Sequence, residues 1–189
     1  MHMRTTISIV GISLALTSGS VVAQQPAGSG QPQAIAGGLR MMWDGAAKNV
    51  RESATLMPDF AFRPPTEKSP DGNQVRTFGQ ILAHLAGANY VICAAARGEK
   101  SPYAEDHFEK SATTREAIIP ALAGSLTYCD DAFRADDRRL AETVAMPFDM
   151  GKAPRAAVLV MNIGHVNEHY GNLVTYFRIK GIVPPSSRR

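Results

Sequence analysis

Residues 154–181 read PRAAVLVMNIGHVNEHYGNLVTYFRIKG. Apolar side chains recur every three or four residues through this stretch, which is the period of an amphipathic helix. Pro154 suits the first turn of a helix and Gly181 suits its C-terminal cap, so the pattern predicts one long helix between them. His165 and His169 are one turn apart, about 40° from each other around the axis. Because apolar residues share their face, we expect both imidazoles to point into the protein.

Three earlier segments have the same helical period, and the chain shows no convincing strand alternation. They cover about residues 34–56, 77–97 and 113–133. Thr77 with Gln80, and Thr113 with Glu116, have the spacing of a capping box, in which side chains satisfy free backbone groups at a helix start. Four helices without strands predict an all-α fold, an up-and-down four-helix bundle.

The N-terminus has the pattern of an export signal. Arg4 precedes a short apolar run, and a group of small residues ends at Ala23. The pattern predicts a secretory signal peptide at residues 1–23, a flexible Gln/Pro/Gly/Ser leader at 24–33 and the bundle at 34–189. The apolar run is too short to cross a hydrocarbon core of about 30 Å, so we expect no stable membrane insertion after cleavage. The mature protein is expected to be periplasmic or secreted.

Composition excludes several classes of function. The chain has 189 residues and a formal net charge of +3, from 20 Lys and Arg against 17 Asp and Glu. Basic residues are scattered and mixed with acidic ones, as in residues 136–139, which argues against a nucleic-acid partner. No Gly-rich phosphate loop, Ser-His-Asp arrangement or pair of carboxylates in the helices stands out in the sequence.

The histidines carry the strongest chemical signal. His84, at the edge of the apolar arc of the second helix, is expected to point inward like His165 and His169. An unsatisfied buried polar atom costs about 1–3 kcal/mol, and a shared metal ion would remove much of that cost. Three histidine ligands would leave a fourth position for water or substrate, and they suit Zn, Ni, Fe or Cu. The alternative is that each histidine is a hydrogen-bonded core residue.

Other polar residues lie close to this predicted site. Asn162 and Asn172, within one turn of the histidine pair, are predicted to orient the imidazoles. Glu168 and Tyr176 are the candidates for proton transfer. Residues 165–169 also read H-x-x-E-H, the pattern of inverted zinc proteases. Those enzymes need a further carboxylate ligand well downstream, and too little sequence follows for it.

Two further patterns concern packing. The even number of cysteines in a chain with an export signal predicts a bridge between Cys93 and Cys129, worth about 3–4 kcal/mol, with two buried free thiols as the alternative. Ala157, Gly164 and Gly171 recur every seven residues on the side of the last helix turned away from the histidines. Their small size predicts close approach by a neighbouring helix or by a second copy in a homodimer.

Residues 76–85 (RTFGQILAHL), 167–178 (NEHYGNLVTYFR) and 181–185 (GIVPP) resemble the DinB/YfiT-like family of metal-binding four-helix proteins. The resemblance covers essentially all of the chain after the predicted signal. It implies a DinB/YfiT-like four-helix bundle whose metal ligands are the three inward histidines. It also implies dimers, and thiol-dependent transferase or isomerase activity in some members. The thiol cofactors of those members are cytosolic, so the predicted export argues against that activity here.

Together these observations predict an exported protein that binds a divalent metal, with zinc, nickel or iron as the candidates. The first hypothesis is a metal-dependent hydrolase or transferase acting on a small molecule that the sequence does not identify. The second is a non-catalytic periplasmic bundle in which the metal serves stability, sensing or a stress response.

Overall fold

In the computed structural model, which describes residues 34–65, 72 and 74–188, the chain folds into a bundle of four long helices with short elements between them. The predicted signal and leader lie outside the described residues. The helices are α1 (Ala34–Leu56), α2 (Phe78–Arg97), α3 (His107–Ser111), α4 (Arg115–Ala132), α5 (Asp137–Leu140) and α6 (Arg155–Ile179). The strands are β1 (Thr143–Ala145) and β2 (Lys152–Pro154), and a 3₁₀ turn follows at Pro185–Ser187. The all-α prediction is confirmed.

Helix α1 has the predicted bounds and packs its small and apolar face inward. Trp43 is fully buried and stacks on Phe133, with ring centroids 4.7 Å apart and planes at 7°. Its indole Nε1 donates to Asp130 Oδ1 at 2.7 Å. The large ring is therefore buried without leaving its polar nitrogen unpaired, which is the usual condition for burying tryptophan.

Helix α2 lies at the centre of the bundle. It begins after the predicted capping box, in which the backbone nitrogen of Gln80 donates to the Thr77 hydroxyl and the backbone nitrogen of Thr77 donates to Gln80 Oε1. It ends at Gly98, whose φ of 77° lies in the left-handed region that favours glycine. By length and composition α2 could cross a membrane, but most of it is buried within the bundle.

Helix α4 begins one residue later than the sequence pattern suggested. Thr114 has the extended backbone of an N-cap, and its hydroxyl accepts from the backbone nitrogen of Ala117 at 3.4 Å. The predicted capping box of Thr113 and Glu116 is therefore wrong. Both adjacent threonines carry a hydroxyl that could cap the helix. Thr114 is the N-cap because its backbone is extended where the helix begins.

Helices α2 and α4 run parallel. Gly79 faces the side chain of Ile118 near their N-terminal ends, while Cys93 and Cys129 form the predicted disulfide near their C-terminal ends, with Cα atoms 5.3 Å apart. The strict alternation of an up-and-down bundle is thus not found for this pair. The reason is the connecting segment, residues 98–114, which returns along the bundle before α4 begins.

The contacts of α2 with α6 and of α1 with α4 are antiparallel, whereas α1 and α6 run parallel. Phe78 near the start of α2 packs edge-on against Phe177 near the end of α6, with centroids 5.3 Å apart. Trp43 in α1 meets the last turn of α4, whereas Arg115 at the start of α4 donates to the carbonyl of Met57, just after α1. Because α2 and α6 cross in opposite directions, the first half of α2 faces the second half of α6.

A short hairpin precedes α6 and was not predicted. β1 and β2 pair antiparallel, with Val144 opposite Ala153, and the turn contains Phe148 and Asp149 at φ of 57° and 54°. Strands of three residues are too short to show alternation in the sequence. Arg155 then begins α6 as a buried side chain that donates to the carbonyls of Ala96 and Arg139, anchoring the helix to its neighbours.

The glycine face of α6 is open toward the described residues. A Cβ atom added at Gly164 or Gly171 would meet no atom of the described residues within 4 Å, apart from its own helix. No helix among the described residues is therefore the reason for these glycines. The homodimer stays a prediction.

Candidate metal centre

The crossing of α2 and α6 brings His84, His165 and His169 together. His84 is buried, and the two histidines of α6 are half-buried one turn apart. His165 Nε2 lies 3.2 Å from His84 Nε2 and 3.1 Å from His169 Nε2. One ligand atom from each residue can be chosen so that all three lie within 4.8 Å of one another. The cluster predicted from the sequence is therefore present in the fold.

These distances fit a shared metal ion. Two imidazole nitrogens bound at about 2.0–2.1 Å in tetrahedral geometry would lie about 3.3 Å apart. The measured separations of 3.2 and 3.1 Å agree with that value. Three neutral imidazoles cannot satisfy all of their converging Nε2 atoms by hydrogen bonds to one another, since each ring carries only one N–H group. The three histidines could hold a metal ion.

His84 has a carboxylate partner on the other side of its ring. Its Nδ1 lies 2.9 Å from Glu109 Oε1, and the Arg76 Nε donates to Glu109 Oε2 at 2.8 Å. Burial alone would raise the pKa of Glu109, but the hydrogen bonds and charge of Arg76, with His84 beside it, hold the pKa below its usual range. Glu105 Oε1 is farther from the same nitrogen, at 4.0 Å.

Sequence reasoning missed Glu109. It lies in a helix of five residues within the connecting segment, where no periodic pattern assigns a face. Its distance from His84 along the chain is 25 residues, so only the return path of the segment brings them together. The weak signal in the sequence was the pair of glutamates at 105 and 109, spaced one helical turn apart.

The α6 histidines are held in an environment that disfavours charge. Burial, together with the positive charge that each neighbouring histidine would carry, lowers the pKa of His165 to about 4. Burial and the charge of His84 likewise lower the pKa of His169 to about 4. Both rings are therefore neutral at pH 7, which is the form that binds metal.

The predicted orienting residues lie in two different places. Asn162 is fully buried, and its Nδ2 lies 3.5 Å from Cys93 Sγ and 3.6 Å from Cys129 Sγ. The structure therefore places Asn162 against the disulfide rather than on an imidazole, because it lies about 60° around α6 from His165. Asn172 is exposed and lines a cavity beside His169.

The two candidates for proton transfer also differ in position. Glu168 is exposed, and its charge acts on His169 by raising that residue's pKa, against the larger effect of burial. Tyr176 is buried, and its hydroxyl donates to the Arg76 carbonyl at 2.7 Å. Burial raises the pKa of Tyr176, so this phenol stays protonated at neutral pH.

A cavity of about 360 Å³ lies beside His169. Its wall includes the apolar Val75, Ile81 and Ile179 and the polar Arg76, Asn172 and Tyr176. This volume lies at the lower end of the range of small-molecule sites. The cavity therefore places apolar surface and hydrogen-bonding groups next to the histidine cluster.

Fold and site together define a four-helix protein with a three-histidine centre that could bind a metal. The sequence belongs to the DinB superfamily, whose profile matches residues 42–173 and so includes all three histidines. No curated protein matches the sequence.

Solved structures show the same fold. A DinB-like protein from Bacillus cereus is similar with a TM-score of 0.57 and 18% identity, over 79% of this chain and 95% of the other. A mycothiol-dependent maleylpyruvate isomerase is similar with a TM-score of 0.56 and 18% identity, over 73% of this chain. The chain matches 60% of that isomerase, and at this identity the likeness concerns the fold.

Proposed function

We propose that this protein is an exported, divalent-metal-dependent hydrolase or transferase that acts on a small molecule. The proposal rests on three histidine Nε2 atoms that converge beside a cavity of about 360 Å³. The Nε2 atom of His165 lies 3.2 Å from that of His84 and 3.1 Å from that of His169. A three-histidine set leaves a coordination position for water or substrate, which is typical of reactive rather than structural metal sites.

The residues of the site would have different roles. His84, His165 and His169 would hold the ion, which when bound lowers the pKa of a coordinated water or thiol. Arg76 and Asn172 would bind the polar end of a substrate in the cavity, and Val75 and Ile179 its apolar part. Tyr176 stays protonated and acts through hydrogen bonding, so Glu168 is the remaining candidate base. Three neutral imidazoles suit zinc, nickel or iron.

The nature of the substrate follows in part from the compartment. The similar isomerase is mycothiol-dependent, so a thiol is one candidate class. The predicted export signal and the disulfide both point to an oxidising compartment, where low-molecular-weight thiols are not kept reduced. We therefore favour hydrolysis, or transfer to an acceptor other than a thiol.

Metal content tests the site. Protein purified without a histidine tag should contain about one equivalent of a transition metal by mass spectrometry, and His165→Ala should lose most of it. His107→Ala is the matched control, because His107 is exposed in α3 and stacks on Tyr103, outside the cluster. Less than about half an equivalent in the wild type, unchanged in His165→Ala, would contradict the proposal.

Turnover separates the two hypotheses once metal is found. A screen with ester, amide and activated-thioether substrates should show hydrolase or transferase activity that is lost in His169→Ala and kept in His107→Ala. Stoichiometric metal without any turnover that depends on His169 would favour the non-catalytic metal-binding bundle.

A further inference from the structure

The connecting segment between α2 and α4, residues 98–114, lies against the metal centre. We propose that Glu109 in this segment is the positioning residue of the centre, which fixes the ring of His84 so that its Nε2 faces the other two histidines. The inference rests on the proposed function, since Glu109 would position a ligand of the same metal site. It adds a residue that lies outside the predicted ligand set.

Hydrogen-bond chemistry sets the direction of the contact. An ionised carboxylate only accepts hydrogen bonds, so in a neutral His84 ring the 2.9 Å contact to Glu109 puts the single proton on Nδ1. The Nε2 atom then carries the lone pair, and it is the atom 3.2 Å from His165 Nε2. Arg76 holds the carboxylate from the other side at 2.8 and 3.3 Å. Glu109 therefore fixes both the tautomer and the orientation of His84.

The three histidines are not equivalent in this respect. The Nδ1 atoms of His165 and His169 are buried and have no hydrogen-bond partner among the described residues. Within that part of the chain, the carboxylate support of the cluster comes through His84. A carboxylate on the far nitrogen makes an imidazole a better metal ligand, and loss of a residue in this role typically weakens metal binding about 10–100-fold.

The packing of the segment on α2 explains how Glu109 reaches the ring. Gly87 lies one turn after His84, and a Cβ atom there would fall 1.8 Å from the carbonyl oxygen of Glu105. Only glycine permits this approach of the segment to the helix. The close contact places the residues that follow Glu105 alongside the turn of α2 that carries His84.

An aromatic cluster holds the same segment from the side. Tyr103 and Phe108 in the segment pack on Tyr90 of α2, with ring centroids 4.9 and 5.8 Å from it. Tyr128 of α4 packs on Tyr90 at 5.1 Å. Because Phe108 immediately precedes Glu109, this packing fixes the position of the carboxylate before any metal binds. The support of the centre is thus part of the fold.

Metal affinity measures the role of Glu109. We expect Glu109→Ala to weaken zinc binding about 10–100-fold, measured by competition with a chromophoric chelator, and Glu109→Gln to weaken it less because an acceptor oxygen remains. Glu105→Gln is the matched control, since it removes a charge in the same segment at 4.0 Å and should change affinity less than about threefold. Wild-type affinity in Glu109→Ala, or equal losses in Glu109→Ala and Glu105→Gln, would overturn the proposal.

The tautomer of His84 gives a second readout that needs no metal. In ¹⁵N-labelled metal-free protein, long-range ¹H–¹⁵N spectra should show the proton of His84 on Nδ1, and Glu109→Gln should shift this ring toward a mixture of tautomers. A wild-type ring protonated on Nε2 would overturn the proposal. If wild-type protein binds no zinc while His84 carries its proton on Nδ1, the proposed function fails and the positioning of His84 stands.

Discussion

The imidazoles of His165 and His169 are neutral in the folded protein because their surroundings disfavour a charge. Each lies half-buried beside two other histidines, so protonating one ring would place a positive charge next to the others and next to Arg76. The folded pKa of about 4 lies below the ordinary value of 6.5. The unfolded chain, whose histidines have ordinary pKa values, therefore takes up protons first as the pH falls.

This difference predicts how the metal-free protein responds to acid. The two histidines should have no effect on the free energy of unfolding well above pH 6.5, and should lower it progressively as the pH falls from about 6.5 toward 4. Urea unfolding at pH 7.5 and pH 5.0 measures the change. The double variant His165→Gln with His169→Gln should lose less stability over this range than the wild type. An equal loss in both proteins would contradict the prediction.

The packing of the connecting segment on α2 depends on one glycine. A backbone carbonyl 1.8 Å from an added Cβ cannot be accommodated by turning a side chain, so the segment or the helix must move. Gly45 in α1 offers a matched comparison, because a Cβ there meets nothing within 4 Å. Both glycines lie inside helices, so they differ mainly in what faces them.

We therefore predict opposite effects for the same substitution. Gly87→Ala should lower the free energy of unfolding by at least about 1–3 kcal/mol through steric overlap. Gly45→Ala should raise it by about 0.5–1 kcal/mol, since alanine is the better helix former. Chemical denaturation of both variants measures the difference. A stabilised Gly87→Ala variant would mean that the segment does not lie on α2 as described.

The sequence predicted the helix ends that are set by residues close to them in the chain. The Thr77 capping box, Gly98 and the bounds of α1 are confirmed, because caps and helical period act within a few residues. The parallel arrangement of α2 and α4 could not be predicted, since it depends on the path of the connecting segment. Glu109 was missed for the same reason, while the histidines were found because regular helices give each position a defined face.

The disulfide joins α2 to α4 and so affects the stability of the whole molecule. Cys93 and Cys129 are separated by 36 residues, and both are fully buried. Closing a loop of this length restricts the unfolded chain and is worth about 3–4 kcal/mol. Such a bridge forms in oxidising compartments, whereas in the cytosol the two cysteines are kept as free thiols. A chain without the predicted signal should therefore fold without its bridge.

We accordingly predict two forms of the protein with different stability. Chain exported with its own N-terminus should begin at Gln24 and be lighter by two hydrogens than its reduced form, while chain made in the cytosol without residues 1–23 should have two alkylatable thiols. The exported form should be more stable to denaturant by about 3–4 kcal/mol, and the double variant Cys93→Ala with Cys129→Ala should lose this difference. Because Cys93 lies nine residues after His84, about 180° around α2 from it, this variant should keep its metal. An exported protein with free thiols, or a variant as stable as the oxidised wild type, would contradict the link between export and stability.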